Sequence, residues 1–303
     1  MTTIEKTPDS VVGWVARAPA VIRPYLRLMR ADRPAGYWLL LWPCLWSLAL
    51  AMPADNMAFW RYTGLFLAGA ILMRSAGCTW NDIIDRRLDA AVARTAARPI
   101  PAGEVSVAAA FAFAILLSLG GLLVLLQFNP FTIRLGIASL LPVALYPFAK
   151  RVTWWPQVVL GLTFNWGALM GWAAARGGLD AAPLLLYAGA VFWTLGYDTI
   201  YAHQDRRDDS IAGIRSTARR LGGQSRLWIA AFYLVFLAGL TAAGMAAHLA
   251  WPYFLGVLAA GLHFAWQVRR FDADDPARCL ALFRANVLMG WFPFLGALWG
   301  KLV

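Results

Sequence analysis

Nine runs of mostly apolar residues, each about the length that crosses a bilayer as a helix, succeed one another along the chain. They lie near 35–53, 58–80, 108–127, 131–149, 156–175, 182–203, 226–245, 250–268 and 280–300. So dense a succession leaves no polar helix faces to meet water, which excludes a soluble helical protein. Of the 303 residues, 60% are hydrophobic and only 14% are charged, where a soluble domain carries about 25% charged residues. Pro43, Pro142, Gly171 and Pro293 fall inside the runs, where membrane helices tolerate them. The expected fold is therefore all-α: a polytopic membrane protein of about nine transmembrane helices, forming a single domain over residues 1–303.

The connections between runs alternate in charge. Residues 1–34, 81–107, 150–155, 204–225 and 269–279 hold most of the Lys and Arg, whereas the opposite connections hold only Arg176 and Lys301. The basic set is expected to face the cytoplasm or a matrix, with the N-terminus inside and the C-terminus outside. That distribution accounts for the net charge of +11 without a nucleic acid partner. Residues 14–30 read as a basic amphipathic helix lying on the same surface, within the N-terminal segment 1–34. Glu5, Lys6, Pro8 and Asp9 precede any apolar core, so no cleavable signal is expected, and Glu5 and Asp9 also speak against a transit peptide. The bacterial inner membrane is accordingly the expected location, in preference to the mitochondrial one. Cys44, Cys78 and Cys279 lie in or beside apolar runs without paired spacing and read as small buried residues.

Eight of the 16 acidic residues lie in two short stretches, 82–104 and 198–209. Each stretch follows an apolar run, falls on the same expected side, and leads into an arginine–hydroxyl cluster, Arg94-Thr95 to Arg98 and Arg215-Ser216-Thr217 to Arg220. On a helix, Arg74, Asn81, Asp85 and Asp89 fall within roughly 80° of one another, and Asp198, Asp205 and Asp209 within roughly 40°. Like charges aimed together at the edge of hydrocarbon are costly unless a cation neutralises them. Oxygen ligands without His or Cys favour magnesium, which completes its shell with water and substrate phosphate. Arg86, Arg87, Arg94, Arg98, Lys150, Arg206, Arg207 and Arg215 are placed to hold the remaining phosphate oxygens. Acids for a metal and bases for phosphate, at a membrane-spanning cavity, describe a diphosphate-bearing lipid substrate. Asp82, Asp208, Asp272, Asp274 and Asp275 read instead as solvated charges. Arg74, a charge inside an apolar run, reads as functional.

These residues resemble the two signatures of the UbiA superfamily of intramembrane prenyltransferases. The first is Asn81-Asp82-x-x-Asp85-x-x-x-Asp89 with Arg94-Thr95-x-x-Arg98-Pro99, and the second Tyr197-Asp198-Thr199-x-Tyr201-Ala202-x-x-Asp205-x-x-Asp208-Asp209 with Gly213-Ile214-x-Ser216-Thr217. Asp32-Arg33-Pro34, and Tyr146-Pro147-Phe148-x-Lys150-Arg151 with Pro156-Gln157, resemble the members that prenylate 4-hydroxybenzoate in ubiquinone biosynthesis. The resemblance implies helices around a central cavity open sideways to lipid. It also implies magnesium-dependent transfer of a polyprenyl group from polyprenyl diphosphate to the ring of 4-hydroxybenzoate. Asn81, Asp85 and Asp89 would form the first metal–diphosphate site, and Asp198, Asp205 and Asp209 the second. Lys150 and Arg151 resemble the basic pair near the diphosphate and the aromatic acid, with Tyr146 beside them.

Asp85, Asp89, Asp198, Asp205 and Arg151 are thus the expected catalytic residues. Asn81, Arg74, Arg94, Arg98, Tyr146, Lys150 and Arg215 are the expected substrate-binding ones, and Arg151 is expected to serve the acceptor's carboxylate. Trp80, Phe164 and Trp166 offer aromatic faces to an allylic cation. Homogentisate, naphthoate or haem as acceptor is the nearest alternative. A transporter is more distant, because its charges would sit at mid-membrane rather than gather at the inner mouth.

Overall fold

The structure, a computed structural model, describes residues 13–204, 206, 213 and 215–303, and all regular structure among them is helical. Two short helices, α1 (Gly13–Arg17) and α2 (Arg23–Leu28), precede α3 (Ala35–Ala51) and the long α4 (Met57–Ala90). A turn of helix, α5 (Ala93–Ala96), leads to α6 (Val107–Leu125), α7 (Pro130–Ala138), α8 (Leu140–Val152), α9 (Pro156–Phe164) and α10 (Gly167–Arg176). The rest are α11 (Ala181–Ala202), α12 (Thr217–Leu221), α13 (Ser225–Ala246), α14 (Pro252–Arg270), α15 (Pro276–Met289) and α16 (Trp291–Gly300). Side-chain caps start several of them: Asn56 for α4, Ser106 for α6, Asn129 followed by Pro130 for α7, and Asp275 followed by Pro276 for α15.

Each apolar run of the sequence is largely helical, but three of them are broken in the middle. Residues 131–149 divide into α7 and α8, where Pro142 removes an amide donor and Ser139 bonds back to the Gly136 carbonyl at 2.6 Å. Residues 156–175 divide into α9 and α10 at Asn165, whose amide bonds the Gly161 carbonyl and the Thr194 hydroxyl on α11. Residues 280–300 divide into α15 and α16 at Gly290, whose carbonyl is taken by the Trp46 indole at 2.7 Å.

Among the described residues, five helical stretches are long and apolar enough to cross a membrane: Val107–Leu125, Pro130–Val152, Pro156–Arg176, Thr217–Ala246 and Pro276–Gly300. Ala35–Ala51 is apolar but shorter. Helices α6 and α8 turn Leu116, Leu119, Leu123, Leu141 and Leu145 outward, as a lipid-facing surface requires.

The core lies where α3, α11 and α13 meet. Trp46 and Trp193 pack with ring centroids 4.9 Å apart, and Trp193 stacks on Phe236. Around it, the Trp193 indole bonds Asn286, Asn286 bonds Gln267, and the Tyr233 hydroxyl bonds Gln267, a polar chain that ties four helices. Glycine sets the closest approaches. A Cβ on Gly171 of α10 would overlap the Cys44 carbonyl oxygen on α3, and one on Gly239 would stand 2.7 Å from the Cα of Gly189. The neighbours are backbone and cannot swing aside. Gly171→Ala should therefore force α3 and α10 apart at a cost of about 1–3 kcal/mol, seen as a lowered thermal midpoint in detergent. An unshifted midpoint would refute that contact.

The N-terminal segment departs from expectation. The helix expected over 14–30 is two short pieces, interrupted where Pro19 and Pro24 withhold amide donors. It also docks on the protein: Leu28 is buried with Ile83, Ile100, Val105 and Ala110. Residues 1–12 of that segment lie outside the described residues.

Candidate active site

Helix α4 continues past its apolar stretch, so its last turns carry Asp82, Asp85 and Asp89 on one rigid rod. All three carboxylates are buried. Asp85 forms an ion pair with Lys150, and Arg151 lies 3.4 Å from its other oxygen. These two cations end α8, where the helix dipole also favours positive charge. Arg151 further donates to the Ile84 carbonyl at 2.9 Å, and its side chain is 44% exposed.

Asp82 corrects the sequence reading. Standing one residue off the stripe of Asn81, Asp85 and Asp89, it was expected to be a solvated charge, yet it is fully buried. Arg30 grips it through two bonds of 2.6 and 2.9 Å, and Arg98 reaches it at 3.1 Å while holding Asp89 at 2.8 Å. Burial by itself would loosen Arg30's proton, but its neighbours, Asp82 foremost and Cys78 and Asp32 with it, together outweigh burial and raise the guanidinium pKa. The partner comes from 52 residues upstream, which helical periodicity cannot register.

The second cluster enters from α11. Asp198 stands near its inner end, and on neighbouring α9 the Gln157 side-chain carbonyl accepts the Thr217 amide at 3.2 Å. Thr217 and Thr199 share a hydroxyl contact of 2.6 Å. Thr217 thus joins the hydroxyl cluster to the second acid helix, α11, and to α9. The amide of Arg215 bonds the Lys150 carbonyl at 3.2 Å, and its guanidinium bonds the Val152 carbonyl and lies over the Trp154 ring. The end of α8 therefore ties both signature regions to the same side of the molecule. Asp205 and Asp209, and the side chain of Arg94, lie outside the described residues.

Between α4, α6, α7, α8, α11 and α15 lies a cavity of about 1040 Å³. Asn81, Asp198, Tyr146, Arg74 and Arg98 line it, as do Trp80, Phe164 and Trp166, whereas Asp85, Asp89, Lys150, Arg151 and Arg215 stand outside its lining. Arg30, Arg33 and Arg284 also line it and had no assigned role. The signal for Arg284 was present in the sequence: like Arg74, it is a charge inside an apolar run. From Asn81 the lining continues along α4 through Met73, Ala70 and Phe66 to Leu65, about 24 Å of helix. Past Arg74 it is apolar.

A helical membrane protein with arginines and an aspartate at the mouth of a long apolar cavity is built to take an anionic head on an apolar tail. The chain belongs to the UbiA prenyltransferase family, whose sequence pattern matches residues 40–292. It is 45% identical over 301 residues to the mitochondrial 4-hydroxybenzoate polyprenyltransferase of Caenorhabditis elegans, covering 98% of this chain and 85% of that protein. It is 46% identical over 299 residues to the human protein of the same description, covering 97% and 79%. The fold matches the apo structure of a UbiA homolog from Aeropyrum pernix K1, with TM-score 0.73, 23% identity, and coverage of 86% of this chain and 96% of that one. It also matches a UbiA homolog from Archaeoglobus fulgidus bound to GPP and Mg2+, with TM-score 0.67, 15% identity, and coverage of 92% and 100%.

The relatives overturn the expected bacterial inner membrane, for those in worm and human are mitochondrial. That expectation rested on Glu5 and Asp9, two acids that do not decide the compartment, and the basic connections fit a matrix as readily as a cytoplasm.

Proposed function

We propose that this protein transfers a polyprenyl group from polyprenyl diphosphate to the ring of 4-hydroxybenzoate, releasing diphosphate, as a step of ubiquinone biosynthesis. One observation carries the reading: a single cavity joins a mouth bearing Asn81, Asp198, Arg30, Arg33 and Arg98 to an apolar channel running inward along α4. A diphosphate fits the mouth and a prenyl chain fits the channel. The names of the worm and human relatives support the acceptor.

The whole chain acts as one domain of nine membrane crossings, three of them broken helices. The cavity opens sideways between α6 and α7–α8, a reading supported by Phe111, Ile115, Leu119, Ile137 and Leu140, which line it and are also exposed. A chain longer than the channel leaves there into lipid.

The donor set fits magnesium. Asn81, Asp85 and Asp89 offer hard oxygens from one face of α4, and Asp198 offers another from α11. Among the described residues no three acids, His or Cys are gathered as a ready-made site; Asp85 is held by Lys150 and Arg151, and Asp89 by Arg98. Those cations hold the carboxylates in place. Asp205 and Asp209 complete the second set. Magnesium bound there would neutralise the diphosphate and withdraw charge as it leaves.

This chain's own residues do the rest. Arg98, with Arg94 beside it in the sequence, stabilises the negative charge that builds on the departing diphosphate. Trp80, Phe164 and Trp166 line the cavity and offer aromatic rings to the allylic cation, and the apolar lining keeps water from it. Lys150 fixes Asp85, and Arg215 fixes the end of α8, so both act by positioning.

Purified protein supplied with radiolabelled prenyl diphosphate and magnesium should label 4-hydroxybenzoate, and should leave homogentisate, naphthoate and haem essentially unlabelled. Label entering one of those three instead would replace the acceptor. Release of diphosphate with no acceptor labelled would refute the reading.

A further inference from the structure

Helices α13 and α14 pack antiparallel: the Tyr233 and Phe264 rings stack 4.0 Å apart, and the Tyr253 hydroxyl reaches the Leu240 carbonyl at 2.8 Å. The start of α13 and the end of α14 therefore meet, on the basic side of the chain. Arg226, in the first turn of α13, donates from Nη2 to the Phe271 carbonyl at 2.6 Å, just past the end of α14. Arg269 and Arg270 belong to the last turn of α14. Three guanidinium side chains thus gather at one helix seam, and all three residues are exposed. Among the described residues no acid forms an ion pair with them: Asp272 and Asp275 pair with Arg278 instead, and Asp274 is exposed and pairs with none of the three.

Two general effects draw cations to such a place, and they do not account for this one. The dipole of α14 favours positive charge at its C-terminus, and positive-inside topology favours it on this side of the membrane. Arg226, however, begins a helix, where the dipole disfavours a cation. Leading away from the cations, large apolar side chains are exposed. On α14, Leu255, Leu258, Leu262 and Trp266 recur at steps of three or four residues and end at Arg269, so one stripe carries both the apolar residues and the charge. On α13, Leu227 and Leu234 stand two turns apart on one exposed face. From Arg269 to Leu255 the stripe runs about 21 Å along the helix, more than the roughly 15 Å that is half the hydrocarbon core.

We propose that this seam binds an anionic phospholipid, its phosphates on Arg226, Arg269 and Arg270 and its acyl chains along the apolar stripe of α14. Three guanidiniums exceed what one phosphodiester can neutralise, so the occupant is a headgroup with two phosphates, as in cardiolipin. None of these residues lines the cavity. The lipid therefore clamps α13 to α14 from outside and acts on the stability of the bundle, whichever acceptor the cavity takes.

The test titrates the purified protein in detergent with cardiolipin, phosphatidylglycerol or phosphatidylcholine at matched phosphate and follows the thermal midpoint. Cardiolipin should raise the midpoint at the lowest concentration, phosphatidylglycerol only at a higher one, and phosphatidylcholine not at all. Arg269→Gln/Arg270→Gln removes two exposed cations and should raise the half-saturating cardiolipin concentration about 25-fold, fivefold for each arginine. Arg17→Gln/Arg23→Gln takes the same charge from the N-terminal segment and should leave the response as in wild type. Photoactivatable cardiolipin on the wild-type protein should label α13 and α14, which decides the matter should the first variant fail to fold. Label on other helices, an unchanged response in Arg269→Gln/Arg270→Gln, or an equal loss in both double variants would overturn the proposal. Phosphatidylglycerol as effective as cardiolipin would overturn the two-phosphate headgroup, and an equal response to phosphatidylcholine would reduce the stripe to a surface for bulk lipid.

Discussion

Asp85→Asn and Asp198→Asn are each expected to fold and to turn over at about a hundredth of the wild-type rate or less, because removing one element that neutralises the leaving group typically costs a few kcal/mol. The two residues come from separate helices, α4 and α11, and offer only oxygen to a metal. Asparagine keeps their shape and removes their charge. A chelator should abolish wild-type turnover, and added magnesium should restore it. Asp275→Asn is the control: Asp275 caps α15 through the Arg278 amide at 2.9 Å, and asparagine caps a helix as well as aspartate does.

A competing account is that Asp85 merely neutralises Lys150. In that account the double variant Asp85→Asn/Lys150→Met, which leaves no unpaired ammonium, would regain activity. On the magnesium–diphosphate reading it stays inactive. Recovery in the double variant, or full activity in chelator, would sink that reading.

How much of this site was legible before folding depends on the range over which each signal acts. Helical geometry is local, and the stripe it drew through Arg74, Asn81, Asp85 and Asp89 runs along one continuous helix, α4. The same geometry failed at Asp82, one residue off the stripe, whose burial is decided by Arg30 and Arg98. Basic residues were assigned to phosphate by nearness in sequence. The structure separates them: Arg98 lines the cavity, whereas Arg215 folds back over Trp154. Hydropathy found where helices lie and missed where they break. Asn165 and Gly290 are compatible with an apolar window, and only the facing Thr194 and Trp46 show why the backbone turns there. Arg284 was overlooked although the rule that singled out Arg74 applied to it equally.

Asp82→Ala should cost about 3–5 kcal/mol of stability, since removing one partner of a buried ion pair leaves the other charge uncompensated. Here the uncompensated group is chiefly Arg30, because Arg98 keeps its bond to Asp89. Arg30 is also where the N-terminal segment is fastened to α4, just after Leu28 packs against Ile83 and Val105. The variant should therefore show two linked changes: a thermal midpoint many degrees lower, and protease cleavage within residues 13–30 while α4 and α6 remain intact. The origin of the loss can be isolated. Replacing both partners by apolar residues removes the buried charge altogether, which in other buried pairs is often neutral or stabilising. Arg30→Met combined with Asp82→Leu should accordingly recover most of the lost stability and the protection of the N-terminal segment. A double variant no more stable than Asp82→Ala would show that Asp82 contributes something beyond holding Arg30, and a single variant as stable as wild type would return Asp82 to the solvated charge its position in the sequence suggests.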